Sequence, residues 1–312
     1  MSILKKIKNI KQALLNVYNI NNILKMNKNL IINELAYNTI FNNFKDKILN
    51  SNELGITTEK YLENDVIISL TSYGKRIHDV CLAIESLMQQ TIKPNKIILW
   101  LADNEFTLEN IPQTLKNLQK RGLTIEFCED IKSYKKLIPT LIKYPDDVII
   151  TIDDDILYPY DMVENLLNSY KENPKLIHFC RGHRMKILNN VLLSYSKWDW
   201  SIKDFEIDKL NFPTTGGGTL FPPNSLHPDV TDKNTFMSLA PYADDVWFKA
   251  MSLLQGTLSK KSFTRSAKGE DYVYINSEIQ VETSLWNNIN NLKNDEQIRA
   301  VFEKYDIYGL LK

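Results

Sequence analysis

An apolar run, Val148-Ile149-Ile150-Thr151-Ile152, ends on three consecutive aspartates, Asp153-Asp154-Asp155, and is followed by Ile156-Leu157-Tyr158-Pro159. Such an uncharged, β-branched run reads as a strand buried on both faces, and strands of that kind belong to sheets covered by helices. Carboxylates delivered together at its carboxyl end repel one another in a partly dry cleft, so a cation belongs beside them. A hard divalent ion, Mg²⁺ or Mn²⁺, takes carboxylate oxygens and commonly binds a substrate phosphate as well. The bland alternative is a solvated acidic turn. The apolar strand on one side and the Tyr-Pro stop on the other favour a site.

The surrounding pattern predicts the fold class. From Asp65 onward short apolar strands alternate with amphipathic helices: strand Val66 to Leu70, helix Val80 to Gln90, strand Lys96 to Leu101, helix Ile111 to Arg121, strand Thr124 to Phe127, helix Lys136 to Lys143. After the aspartates, Met162 to Tyr170 reads as a helix and Leu176 to Phe179 as a strand, before a stretch rich in Pro, Gly and Trp. β-α alternation with short joints predicts an α/β protein, a three-layer α/β/α Rossmann-like, mostly parallel sheet with helical N-terminal and C-terminal extensions. The expected division is a helical extension over 1–60, the sheet domain over 61–256 and an extension over 257–312 that packs on or closes over the site. Ligands of such sheets bind beyond the carboxyl ends of the strands, where the strand order switches.

Charge and cysteine content narrow the function classes. The 38 basic and 38 acidic residues cancel, so no global field argues for nucleic acid or an acidic polymer. Cys81, Cys128 and Cys180 are odd in number, lie in apolar surroundings and lack metal-ligand spacing, so they read as reduced core residues of a cytoplasmic protein. No apolar stretch reaches the roughly 18 residues of a membrane span, and the amino terminus lacks the features of a signal peptide. Lys5, Lys6, Lys8, Lys11, Lys25 and Lys28 face no acidic residue in the first thirty positions, with Ile3, Ile7, Ile10, Leu14 and Val17 at helical spacing. This predicts a basic amphipathic helix, able to lie on an anionic membrane surface at the inner face of the cytoplasmic membrane, or to pack on the main domain or another subunit.

Five further segments could carry chemistry. Thr71-Ser72-Tyr73-Gly74-Lys75-Arg76 ends the first strand with hydroxyls, backbone N–H groups, cations and a ring able to stack on a base. Asp103, after the second strand, could accept from a ribose, or simply cap a turn. Lys135 and Lys136, after the third strand, could clamp a diphosphate, or remain solvated. Gly216-Gly217-Gly218 precedes Thr219-Leu220-Phe221 and lets a backbone approach a ligand without a Cβ in the way. Asp244 and Asp245 open a helix; ordinary helix-start acids, they could also take a proton from a hydroxyl. No GxxxxGK[ST] or GxGxxG follows a strand, which removes support for a P-loop or dinucleotide fold.

Taken in order, Ser69-Leu70-Thr71-Ser72-Tyr73, Asp153-Asp154-Asp155, the Gly216 loop and Ala243-Asp244-Asp245 resemble a GT-A-type nucleotide-sugar glycosyltransferase of the bacterial family 2-like group, over about Asp65 to Leu254. The triplet resembles the DxD motif, which implies that Asp153 and Asp155 hold the metal with Asp154 close by. The Asp244-Asp245 pair resembles the xED motif and implies Asp245 as base. The glycines resemble the acceptor-facing segment, and Trp198, Trp200 and Trp247 could offer faces to a sugar. The resemblance implies a metal-dependent, inverting hexosyltransferase that uses a nucleoside-diphosphate sugar, a UDP-sugar first of all. Its acceptor would be a glycan or lipid-linked hydroxyl in surface polysaccharide such as capsule or lipopolysaccharide. Relatives often add a late histidine ligand, but the last histidine here is His227, before the base. Tyr272, Tyr274, Ser284, Trp286 and Asn287 lie in a tail that could close over the donor. The competing readings are a nucleotidyltransferase or phosphotransferase with a carboxylate metal site, and a non-catalytic sugar- or membrane-surface-binding protein.

Overall fold

The computed structural model of the chain describes residues 35–265, 272–275 and 291–311. The basic helix expected over the first thirty residues lies outside them, as do Ser284, Trp286 and Asn287. Two compact units divide the chain, 1–47 and 48–312. In the first, helix α1 (35–50) begins, with Tyr37 stacked on Phe41 at 4.1 Å between ring centroids.

The second unit runs β1 (Val66–Thr71), α2 (Val80–Met88), β2 (Lys96–Ala102), α3 (Gln113–Gln119), β3 (Leu123–Cys128), α4 (Ile138–Lys143) and β4 (Val148–Ile152). There follow β5 (Ile156–Leu157), α5 (Met162–Glu172), β6 (Ile177–Phe179), β7 (Gly182–Arg184), β8 (Ile187–Leu188), β9 (Val191–Leu192), β10 (Asn211–Pro213) and β11 (Gly217–Phe221). Then come α6 (Lys233–Leu239), α7 (Asp244–Gln255), β12 (Ser259–Lys261), β13 (Val273–Tyr274), α8 (Asn291–Lys304) and α9 (Ile307–Leu310). Helix α3 starts later than its apolar pattern because Pro112 occupies the cap. The helix expected from Lys136 opens as a 3-10 turn, Lys132–Lys136, before α4. Gly256 ends α7 in the left-handed conformation, where its lack of a Cβ removes the strain.

Seven strands form one sheet in the order β12-β6-β11-β4-β1-β2-β3. Its β1, β2, β3 and β4 pair parallel, as the alternation predicts, and so do β12 and β6. Only β11 runs antiparallel to its neighbours, β4 and β6. This is a mixed α/β, mostly parallel, Rossmann-type sheet. Segment 257–312 contributes to it directly, since β12 is an edge strand. The order reverses between β1 and β4, and the reversal of β11 brings Gly217 opposite Ile152, next to the first aspartate. Thus three chain ends of different sequence origin meet at one end of the sheet.

The core is aliphatic along β1, β2 and β4 and aromatic under α7, where Trp247, Phe236 and Tyr134 are fully buried and Tyr134 stacks on Phe236 at 4.1 Å. Cys81 and Cys180 are buried and all three cysteines are free thiols. No helix among the described residues is long and apolar enough to cross a membrane.

Helices α2 and α3 are joined by a buried ion pair. Arg121, just beyond α3, donates from Nη1 and Nη2 to the two Glu85 oxygens at 2.6 and 3.0 Å, and from Nε to the Glu53 carbonyl at 2.8 Å. Both side chains are almost wholly excluded from solvent. Removing one partner strands the other charge, so Arg121→Met should lower the unfolding free energy in urea by about 3–5 kcal/mol. Glu85→Leu added to it should recover much of that loss.

Candidate functional site

A cavity of about 720 Å³ opens beyond the carboxyl ends of β1 and β4, the amino end of β11 and the first turn of α7. Its volume lies within the roughly 300–1,000 Å³ of small-molecule sites. Of the residues expected at a site, Thr71, Tyr73, Arg76, Lys135, Lys136, Asp153, Asp154, Asp155, Gly216, Asp244 and Asp245 line it.

The aspartates point to different partners. Asp154 is buried and accepts from Ser72 Oγ at 2.6 Å and Arg76 Nη1 at 2.8 Å, so its oxygens are committed within the protein. Arg76 also lies 3.2 Å from Asp155. Asp153 accepts from Lys136 Nζ at 2.7 Å and sits 4.0 Å from Arg181. Burial opposes ionisation of Asp153, but Lys136 and Arg181 outweigh it and hold its carboxyl below the usual range. Asp155 lacks such compensation. Burial, then the charges of Asp153 and Asp154, push it up to about 6 despite Arg76.

The triplet's turn is fixed by Tyr158, whose hydroxyl accepts from the Asp153 N–H at 2.7 Å and donates to the Gly216 carbonyl at 2.5 Å. Gly216 is pressed against the first aspartate: a Cβ there would fall 1.7 Å from Asp153 Oδ2. That close approach, which only glycine permits, lets β11 begin beside the carboxylate.

Across the cavity, the two acids of α7 divide in role. Asp244 accepts from Ser133 Oγ at 2.9 Å and lies 3.4 Å from Lys136, which therefore bridges it to Asp153. Asp245 Oδ1 accepts from the Thr215 N–H at 2.8 Å and from Thr215 Oγ1 at 2.6 Å, whereas its Oδ2 makes no hydrogen bond among the described residues. Burial, then the charge of Asp244, raise Asp245 to about 6. Lys136 stays charged, because Asp153, Asp244 and Asp245 outweigh the effect of burial.

Several expectations are corrected. Trp247 is wholly buried beneath α7, with its indole N–H donating to the Val230 carbonyl at 3.0 Å, and it cannot meet an acceptor. Trp198 is likewise core; Trp200 alone of the three tryptophans faces the cavity. Asp103 is exposed beyond β2 and does not line the cavity. Ser72 acts behind the wall, through Asp154. Gly217 and Gly218 are buried in β11, where a Cβ would meet Arg181 and Met162, and they do not line the cavity. Lys135 lines the cavity but is ion-paired with Asp130. His227 lies away from the cavity, against Asp229. Tyr274 does line it, because β13 pairs with β5 just after the aspartates.

Arg181 is the main residue that sequence reading missed. It follows β6, directs its guanidinium over Tyr272 at 5.1 Å and donates from Nε to Thr214. A cation just past a strand is the signal that could have found it. Ser133 and Thr215, which hold Asp244 and Asp245, were likewise unforeseen.

No family model and no curated protein matches the sequence. Solved structures are similar over part of the chain. S. aureus TarS 1–349, in complex with UDP, is similar over 65% of this chain and 59% of its own, at 14% identity and a TM-score of 0.43. The mannosyltransferase PcManGT of Pyrobaculum calidifontis, in complex with GDP-Man and Mn²⁺, is similar over 47% and 42%, at 15% identity and a TM-score of 0.32. A putative glucose-1-phosphate thymidylyltransferase of Bacillus anthracis is similar over 72% and 96%, at 13% identity and a TM-score of 0.42. These neighbours include a mannosyltransferase and a putative thymidylyltransferase, and the likeness to each is partial.

Among the described residues no group of three or more His, Cys, Asp or Glu side chains is arranged to hold a metal ion. Asp155 and Asp153 can still supply carboxylate oxygens to one whose shell is completed by phosphate and water, the usual habit of Mg²⁺. The raised Asp155 fits such a role, since a cation would relieve the repulsion that keeps it partly protonated.

The same repulsion bears on stability. The folded value of Asp155 lies above its ordinary 3.8, so the penalty of its buried charge is absent below about pH 3.8 and complete above about 6. A rise from 3.8 to about 6 corresponds to about 3 kcal/mol. Asp155→Asn should therefore stabilise the metal-free protein by up to about 3 kcal/mol at pH 8, with the gain vanishing near pH 4, in paired denaturant melts.

Proposed function

We propose that the protein is a metal-dependent glycosyltransferase. It moves a sugar from a nucleoside-diphosphate donor, a UDP-sugar first of all, to a hydroxyl of a glycan or glycolipid, with inversion, in the synthesis of bacterial surface polysaccharide. The observation that carries this reading is Asp245, a half-buried carboxylate on the cavity wall with one oxygen held by Thr215, the other without a hydrogen bond among the described residues, and a pKa near 6, on the same cavity as the aspartate triplet and its cations. A general base works best with a pKa close to the operating pH and its own position fixed.

In this reading the acceptor hydroxyl gives its proton to Asp245 Oδ2 as its oxygen attacks the anomeric carbon. The bond from that carbon to the diphosphate oxygen breaks, and the electron pair leaves with the nucleoside diphosphate. Lys136 and Arg181 lie where they can meet the developing negative charge, and Tyr73, half-exposed on the cavity wall, can stack on the base. Asp155 and Asp153 would hold Mg²⁺ or Mn²⁺, which when bound supplies Lewis-acid neutralisation of the leaving diphosphate. Asp244 orients Lys136 and supports the raised pKa of its neighbour.

Asp245→Asn keeps an oxygen for Thr215 and removes the base. It should bind UDP with Mn²⁺ as the wild type does in calorimetry, while transfer from a UDP-sugar falls by about 10²–10⁴-fold. The wild-type kcat/KM should rise with pH through about 6, because Asp245 must be ionised to accept the proton. Undiminished turnover by Asp245→Asn removes it as the base; release of pyrophosphate in place of UDP replaces the reading with a nucleotidyltransferase. Asp153→Ala should lose metal-dependent nucleotide binding with the fold intact, and retained binding would refute its place at the metal.

A further inference from the structure

One wall of the cavity is aromatic and is used by none of the steps above. The pairing of β7 with β10 sets His183 opposite Phe212, rings 6.5 Å apart and nearly parallel. Trp200 lies against His183 at 4.4 Å and edge-on to Tyr195 at 5.1 Å, and all four rings line the cavity. Trp200 keeps 41% of its surface exposed, although its neighbour Trp198 is buried in the core. The turn that presents it is held in an unusual way. Ser201, not a glycine, adopts a positive φ of 47°, and its N–H donates to His183 Nδ1 at 3.1 Å.

Two polar atoms on this wall make no hydrogen bond among the described residues. Burial, with Arg181 adding to it, lowers His183 to about 4, so the ring is neutral at physiological pH. Because Nδ1 accepts from Ser201, the proton sits on Nε2, which makes no hydrogen bond among the described residues. Asn294 of α8 also lines the cavity; it is 6% exposed, and its Oδ1 is buried without a partner. A buried amide oxygen left unpaired is costly, so a hydroxyl that donates to it lowers that cost. The wall is close to the proposed base, for the charge of Asp245 acts on the Tyr195 phenol.

We propose that the wall formed by His183, Tyr195, Trp200, Phe212 and Asn294 is the acceptor subsite and takes a neutral pyranose ring, with Trp200 as its stacking platform. A pyranose presents an apolar C–H face and a rim of hydroxyls. The rings match the first, while the Nε2 donor and the Oδ1 acceptor match the second. An anionic head is disfavoured here, since none of the five side chains is cationic and the negative charge of Asp245 acts on Tyr195 more strongly than the positive charge of Arg181. This assignment rests on the transferase reading for the direction of attack, but the binding it describes can be measured without transfer.

The test uses the full chain, the Trp200→Ala and Trp200→Tyr variants, and two separate probes. One is an immobilised array of neutral oligosaccharides, with hits titrated as free sugars up to about 10 mM. The other is UDP with Mn²⁺ in a calorimeter. The wild type should bind at least one saccharide; Trp200→Ala should weaken it on the order of tenfold or more and Trp200→Tyr should restore most of it, with UDP affinity unchanged in all three. The proposal is overturned if no neutral saccharide binds the wild type, if Trp200→Ala binds it equally well, or if that variant loses UDP instead. If saccharide binding depends on Trp200 while UDP does not bind at all, the subsite stands and the donor reading falls.

Discussion

The organising constraint is a charge imbalance at one end of the sheet. Asp153, Asp154, Asp155, Asp244 and Asp245 share this end with Arg76, Lys136 and Arg181, five carboxylates against three cations. Two unit charges 4 Å apart interact by roughly 4 kcal/mol in surroundings of effective dielectric near 20, so the excess cannot be ignored. The chain distributes it unevenly. Arg76 serves Asp154 and Lys136 serves Asp153, while Asp155 and Asp245 carry the remainder and rise to about 6. An excess of two negative charges is what a single divalent cation would neutralise, and the proposed metal would sit at Asp155, one of the two acids whose cationic neighbours do not outweigh burial and repulsion.

Topology explains how these groups meet. Parallel neighbours β1 and β4 end at the same edge, which brings Ser72 to Asp154 across 82 residues of sequence. The antiparallel β11 starts at that edge, so the residues preceding it, Thr214 to Gly216, arrive where β4 finishes. A parallel strand in that place would have carried its glycines to the opposite end of the sheet.

The parts legible in the sequence are those in which local pattern and function coincide. The Val148 run predicts a buried strand, and the aspartates directly after it cannot avoid the strand's carboxyl end. Asp244 and Asp245 are legible because the first turn of a helix is a fixed address. Arg181 and His183 were not legible. They follow a strand of only three residues, and their partners, Asp153, Tyr272 and Ser201, are set by pairings that no local periodicity encodes. Trp247 misled for the opposite reason: it is only two residues from Asp245, but successive positions on a helix point about 100° apart, and its face is the core. Asp103 shared the strand-end logic of the triplet but belongs to β2, away from the switch between β1 and β4.

The proposed base and the aspartate cluster are tied to one strand. Asp153 follows β4 directly. Asp245 is reached indirectly: Thr151, inside β4, donates from Oγ1 to the Thr215 carbonyl at 2.8 Å, and Thr215 in turn holds Asp245 through its N–H and hydroxyl. Lys136 closes the circuit by touching both Asp153 and Asp244. The separation between the triplet and Asp245 is therefore set by a buried central strand and short hydrogen bonds to it, not by the loops that form the rim. Sites supported in this way keep their geometry while rim residues vary. The aromatic wall lies on β7, β10 and the segment between them, apart from the hydrogen bonds that hold Asp245, so on the proposed reading changes in what stacks there alter the sugar accepted without moving the proposed base.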